Sequence, residues 1–145
     1  MKKSIFFAIF ILFAGVNLLA QDKTTEPKVQ HLTYKEFIDK IWDLEKSPKE
    51  FIFKGETPAI VDFYADWCGP CRKVGPIMEK LAKDYDGRLS VYKINVDKEK
   101  ELSAIFQVRS IPTVIFIPMQ GQPMMQVGAM SESEYRKVVD ERLLK

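Results

Sequence analysis

Ala59-Ile60-Val61-Asp62-Phe63-Tyr64-Ala65-Asp66-Trp67-Cys68-Gly69-Pro70-Cys71 is the stretch that decides the fold. Its first seven residues are apolar at odd and even positions alike, apart from Asp62. Neither parity is set aside for water, so the run reads as a central strand covered on both faces. Val74, Ile77, Met78, Leu81, Ala82 and Tyr85 then recur at helical spacing, which predicts a helix over 70–85. Pro76 inside it predicts a kink. The two cysteines therefore lie where strand hands over to helix.

Working outward, Thr33-Tyr34-Lys35-Glu36 has capping-box spacing, and Phe37, Ile41 and Leu44 extend it into an amphipathic helix over 34–46. Ser47-Pro48 stops that helix, and Phe51-Ile52-Phe53 reads as a short strand. Downstream, Asp86-Gly87 ends the central helix. Strands follow at 89–96, 113–117 and 124–127, with a short helix around Leu102, Ile105 and Phe106. Ser131-Glu132-Ser133-Glu134 repeats the capping box and opens a last helix carrying Tyr135, Val138, Val139 and Leu143. Strands alternating with helices predict an α/β fold of parallel strands joined by helical crossovers, closed by a hairpin of strands. No internal repeat, low-complexity tract or second domain appears.

The N-terminus has a different character. Lys2 and Lys3 precede an almost unbroken apolar run from Ile5 to Val16, and Asn17-Leu18-Leu19-Ala20 leads into Gln21-Asp22-Lys23. This is the layout of a secretory signal peptide, with cleavage expected after Ala20. An uncleaved membrane anchor is the alternative. From Ile5 to Ala20 a helix would reach about 24 Å, short of the roughly 30 Å apolar core of a bilayer. The expected organisation is a signal peptide over 1–20, a flexible lead-in over 21–31, and one domain over 32–145. Export to the periplasm is the expected localisation.

Composition narrows the function classes. The 145 residues carry 22 Lys+Arg, 20 Asp+Glu and one His, for a formal charge of +2. Removing Lys2 and Lys3 with the leader leaves the charges balanced, which argues against a nucleic-acid partner. Two cysteines are too few for a disulfide-stapled miniature scaffold or a thiolate-only zinc site. His31, the single histidine, falls in the lead-in and reads as a solvated surface residue far from the cysteines. No metal is expected, and no nucleotide or flavin motif appears.

Cys68-Gly69-Pro70-Cys71 carries the chemistry. Proline suits a first helical turn, where its missing N–H would be unsatisfied anyway. Cys68 is thus placed at a helix N-terminus, where free N–H groups and the macrodipole stabilise a thiolate. Cys71, three residues on, faces the same side and can reach it. An inert structural disulfide is a poor alternative, because so small a loop constrains the unfolded chain little. Asp62, polar inside an apolar strand, should have a raised pKa if buried and so be able to accept a proton.

Val61 to Arg72, with its Trp67-Cys68-Gly69-Pro70-Cys71 core, resembles the active-site stretch of thioredoxins. Ser110-Ile111-Pro112-Thr113 resembles their cis-proline loop, and Val127-Gly128-Ala129 their glycine-containing loop. The resemblance runs over about residues 58–143. It implies a thioredoxin fold, a central mixed sheet flanked by helices, and a thiol–disulfide oxidoreductase that reduces protein disulfides. The redox-active disulfide is its only implied redox group, with no separate cofactor. Cys68 is then the exposed nucleophile, Cys71 the resolving thiol, and Asp62 the base that helps deprotonate Cys71. Trp67, Gly69, Pro70, Ile111, a cis Pro112 and Gly128 form the substrate surface, and Lys93 is the supporting lysine near the acid. The implied partners are protein disulfides and an electron-donating reductase, with a membrane carrier as one candidate, acting on a monomer. A disulfide oxidant or isomerase using the same cysteines stays open, as does a non-catalytic binding module. The leader and the Ser47–Glu56 segment depart from the family pattern.

These positions predict that Cys68 is alkylated faster than Cys71 at pH 6 when each is the sole cysteine. Rates measured against pH on Cys71→Ser and Cys68→Ser check this, and the reverse order would exchange the two roles.

Overall fold

The computed structural model describes residues 29–145, so the expected leader and lead-in residues 21–28 lie outside the described residues. The elements are β1 (Gln30–His31), α1 (Tyr34–Lys40), β2 (Ala59–Tyr64), α2 (Cys71–Asp84), β3 (Ser90–Asn95), α3 (Lys100–Ile105), β4 (Thr113–Ile117), β5 (Met124–Val127) and α4 (Glu132–Val138). A π-helical turn over Val139–Leu143 continues α4. The strands form one sheet in the order β1-β3-β2-β4-β5.

β2 sits at the centre, with Ala59 to Phe63 all buried. Strand side chains alternate between faces, so β2 feeds two cores. Ile60, with Val114 and Phe116, packs against Val74, Met78 and Leu81 of α2 and Tyr135 and Val139 beyond. Ala59, Val61 and Phe63 pack with Phe37, Ile41 and Leu102 on the other face. Each buried Val, Leu, Ile, Phe or Met side chain among them contributes about 1.5–3 kcal/mol. The apolar run at both parities thus finds cover on both sides.

The sheet is mixed, as the family resemblance implies, but the parallel crossover read from the alternation of elements fails between β3 and β4. β1 and β3 run parallel, as do β3 and β2, but β4 runs antiparallel to β2, with Asp62 opposite Val114. The reason is length. α3 has six residues and rises only about 9 Å, too little to carry the chain back to the far end of the sheet. The chain re-enters at the end where β3 left it, and the sheet is mixed.

The lead-in expectation over 21–31 is also corrected at its end. Gln30 and His31 pair with Tyr92 and Lys93 as edge strand β1, and Val29 is buried. An open β3 edge was available to pair them, which no local pattern in 29–31 announces. His31 is exposed, yet its Nδ1 lies 3.2 Å from the Tyr64 hydroxyl, closer to the cysteine end of β2 than expected.

α1 has its capping box, with Thr33 accepting from the Glu36 amide, but stops at Lys40 rather than near residue 46. Trp42 is the cause. Its indole donates to the Ser47 and Glu50 carbonyls, and its backbone bridges to Phe53. Lys54 also donates its amide to the Ile41 carbonyl. Tertiary pairing wins over another helical turn. Ser47–Glu56 is therefore a wrapped loop holding Phe51 5.1 Å from the Trp42 ring, and its expected strand reduces to one bridge.

α4 opens on a complete capping box, Ser131 accepting from the Glu134 amide and Glu134 from the Ser131 amide. Because α4 covers the core over β2, Ser131→Ala should cost about 1 kcal/mol, seen as a lower urea midpoint at unchanged slope.

Candidate functional site

The site is assembled where β2 ends and α2 begins. Cys68 and Cys71 form a disulfide with S–S 2.06 Å and Cα–Cα 5.3 Å. The Cys71 amide donates to Cys68 Sγ at 3.2 Å, and the Arg72 amide donates to the Cys68 carbonyl at 3.3 Å. Cys68 therefore does the work of a helix cap, its sulfur serving one of the free first-turn amides. A thiolate there would accept that same hydrogen bond with full charge. Gly69 and Pro70 fill the turn, with Pro70 in helical geometry just before α2.

The expectation that Cys68 is the exposed sulfur is not met in the disulfide. Cys68 is 3% exposed and Cys71 4%, so accessibility does not distinguish them here. Ala65 packs beside the pair, with Tyr64, Val96 and Ile111 around it. What separates the two sulfurs is position relative to the free amides of α2.

Trp67, by contrast, is 67% exposed, which removes the possibility that it is simply a core residue. Its indole donates to Asp97 at 2.8 Å, and the Asp97 amide donates to Asn95 Oδ1. Asn95 in turn donates to Asp66. Sequence reasoning missed this polar chain from the end of β3. Its signal was Asn95 and Asp97 following an apolar strand at the level of Trp67.

The cis-proline loop closes the other side. The Ile111–Pro112 bond is cis, and Ile111 touches the disulfide cluster. Gly128 donates its amide to the Pro112 carbonyl at 2.8 Å, which ties the two loops together. Its φ of 90° lies in the left-handed region that glycine occupies freely. A cleft of about 300 Å³ runs between Trp67, Val96, Val108, Arg109, Ser110 and Ile111. A second of about 410 Å³ opens beside Cys71, bounded by Tyr64, Arg72, Pro76 and Lys93. Arg109 was not singled out in the sequence; it is the one cation lining the first cleft.

Asp62 is fully buried, and neither carboxylate oxygen has a hydrogen-bond partner. Burial pushes its pKa up to about 6, opposed by the charge of Lys93, its register partner on β3. Lys93 Nζ also lies 4.1 Å from the Tyr64 ring centroid, so the ammonium sits over an aromatic face at the edge of the second cleft. The structure thus brings Cys68, Cys71, Trp67, Ile111, Pro112 and Gly128 to one end of the sheet, with Asp62 and Lys93 one step inside.

A family model described as Thioredoxin matches residues 39–141. The chain belongs to the thioredoxin family. It is 44% identical over 108 residues to a thioredoxin of Borreliella burgdorferi, an alignment covering 74% of this chain and 92% of that one. A thioredoxin of Pseudomonas aeruginosa is 33% identical over 96 residues, covering 66% and 89%. The crystal structure of chloroplastic thioredoxin z superposes with a TM-score of 0.64 at 27% identity, covering 79% of this chain and 93% of that one. The fold is the thioredoxin fold. With its Cys68–Cys71 disulfide, the protein is a thiol–disulfide oxidoreductase, a protein-disulfide reductase of the thioredoxin family, acting through a redox-active disulfide.

The buried acid makes a signed prediction. Its folded pKa lies above the unfolded value, so its contribution to stability is complete below about pH 4 and is lost as pH rises through about 6. The loss is on the order of 3 kcal/mol for a difference of about two pH units. Asp62→Asn should remove this dependence, so the stability gap between variant and wild type should open between pH 4 and 7. Resolution of the mixed disulfide should slow in the same variant. Denaturant unfolding across pH together with insulin reduction measures both, and an unchanged gap with an unchanged rate would mean a solvated, idle carboxylate.

Proposed function

We propose that this thioredoxin-family reductase works outside the cytoplasm, in the periplasm, after removal of residues 1–20. The mature protein then acts as a monomeric domain that delivers two electrons to protein disulfides. The observation that carries the direction of transfer is the turn itself: Gly69 and Pro70 add no charge beside Cys68, and Pro70 adds no N–H. Groups that stabilise the thiolate favour the dithiol and make the pair more oxidising. Here the thiolate has mainly the α2 terminus, so the pair is reducing.

The steps follow from the positions. Cys68 thiolate attacks one sulfur of a substrate disulfide, forming a mixed disulfide and releasing the other sulfur as a thiolate. Cys71 gives its proton to Asp62, and its thiolate attacks Cys68 Sγ. The Cys68–substrate bond breaks, the second substrate thiolate leaves, and the Cys68–Cys71 bond closes. The substrate segment lies extended along Ile111, its backbone pairing as an added strand, between Trp67 on one side and Pro112 and Gly128 on the other. Asp62 is the base and Lys93 moderates its charge.

Export is supported by the anatomy of residues 1–20. Some relatives are named as chloroplastic, a location stated of those proteins. An exported reductase needs re-reduction of Cys68–Cys71, and a membrane carrier of electrons is the partner class proposed for that step.

The reduction potential tests the reading. The scale runs from about −270 mV for thioredoxin, here a reference point and no result of this structure, to about −120 mV for a strong periplasmic oxidant. The expected value lies below about −220 mV, where glutaredoxins begin. Equilibration with dithiothreitol, followed by Trp67 fluorescence, measures it. A value near the oxidant end would make the protein an oxidant or isomerase using the same residues.

A further inference from the structure

Among the described residues, three buried side-chain oxygens lack a hydrogen-bond partner: both of Asp62 and the hydroxyl of Tyr135. The other buried polar side chains, Asn95 and Thr113, are bonded. Tyr135 is 0% exposed, on the first turns of α4. A phenylalanine would fill such a place without a hydroxyl to desolvate, and an unpaired buried hydroxyl is destabilising.

The two orphaned groups share one layer. Alternation along β2 turns Asp62 to the face of Ile60, which belongs to the same core as Tyr135. Across the β2–β4 pair, Asp62 is opposite Val114 and Ile60 opposite Phe116. The Tyr135 ring lies 6.1 Å from the Phe116 ring, over that strand pair. The groups are also complementary, since a carboxylate only accepts and a phenol hydroxyl has a proton to donate. The Met130 amide approaches the Tyr135 oxygen without hydrogen-bonding geometry, and as a donor it leaves the hydroxyl proton unclaimed.

We propose that Tyr135 is a positioning residue for Asp62, its hydroxyl supplying, across one bridging water, the hydrogen bond that the ionised carboxylate otherwise lacks. Asp62 is then a two-residue acid, with Tyr135 holding the carboxylate in its proton-accepting form while Cys71 is deprotonated. The inference rests on the proposed role of Asp62 as base for its consequence in the reaction, but not for the pairing itself. The charges around the pair act with it or are set apart from it. Lys93 on β3 favours ionised Asp62 as Tyr135 does, and Asp62 and Glu134 both disfavour an ionised Tyr135, keeping its proton in place. Tyr64, at the end of β2, is a further titratable group that feels the charge of Asp62.

A hydrogen bond to the charged form lowers a carboxyl pKa, so removing the hydroxyl should raise it. The experiment is a carbon-13 titration of the Asp62 carboxyl in wild type and Tyr135→Phe, with the pH profile of mixed-disulfide resolution measured beside it. The expected result is a midpoint about one pH unit higher in Tyr135→Phe, a tenfold change in acid strength, with the rising limb of the rate profile displaced equally. An unmoved midpoint overturns the pairing and leaves Tyr135 as packing. Site-specific 3-fluorotyrosine at position 135, a stronger donor of the same shape, should move the midpoint down, and it decides the question if Tyr135→Phe folds poorly. Asp62→Asn separates the two ideas. If it leaves the rate profile in place, Asp62 is not the base, while the titration still judges the pairing.

Discussion

Burial of β2 on both faces is the constraint on which the rest of the structure depends. A strand with apolar side chains at both parities must have a helical layer on each side, and it must hydrogen-bond a strand along each edge. Those demands fix α2 and α4 over one face, α1 and α3 over the other, and β3 and β4 alongside. They also fix where chemistry can occur. The chain leaving β2 has only six residues, Ala65 to Pro70, before α2 begins, so Cys68 must come to rest under the first amides of that helix.

Placing an acid in that strand sets function against stability. Asp62 occupies a position where any apolar residue would pack without cost, and its pKa of about 6 measures how strongly the core resists its charge. Full burial is also what would suit it to the proposed role of base, because a solvated aspartate stays ionised far below neutrality and is a weak base. The same core supplies the partial relief. Lys93 reaches the acid from β3 because parallel register places residue 93 beside residue 62, and one residue's slip would turn that lysine to the opposite face.

The sequence was legible wherever a local rule spoke alone. The central strand, the Cys68–Cys71 turn, both capping boxes and the β4–β5 hairpin are local patterns, and each stands where its pattern put it. Illegible features were those decided by distant partners. β1 exists because β3 has an open edge, and α1 stops early because Trp42 finds the Ser47 and Glu50 carbonyls instead of another turn. The antiparallel entry of β4 follows from the brevity of α3, a length that propensity near Leu102 and Phe106 does not set. Within the site, the cysteines and Pro112 were legible through motif. Asn95 and Asp97 were not, because polar residues at the end of a strand look like any loop until Trp67 arrives to be bonded, and Arg109 was not, because only the fold brings it to the Trp67 cleft.

The two clefts give the disulfide two distinct neighbourhoods. On the Trp67 side the walls are apolar with Arg109 at the edge, and Ile111 carries them to the sulfurs. On the Cys71 side the walls include Tyr64, Arg72 and Lys93, the register partner of Asp62. In the proposed reaction, a substrate seated in the first cleft would leave the second, which Cys71 lines, uncovered. That separation follows from helical geometry. Cys68 precedes α2 and its sulfur accepts the Cys71 amide, whereas Cys71 starts the helix and lines the cleft that Lys93 borders. Two bonded sulfurs of equal burial thus differ in what lies beside them, and the charged cleft next to Cys71 is where the proposed reaction would pass its proton.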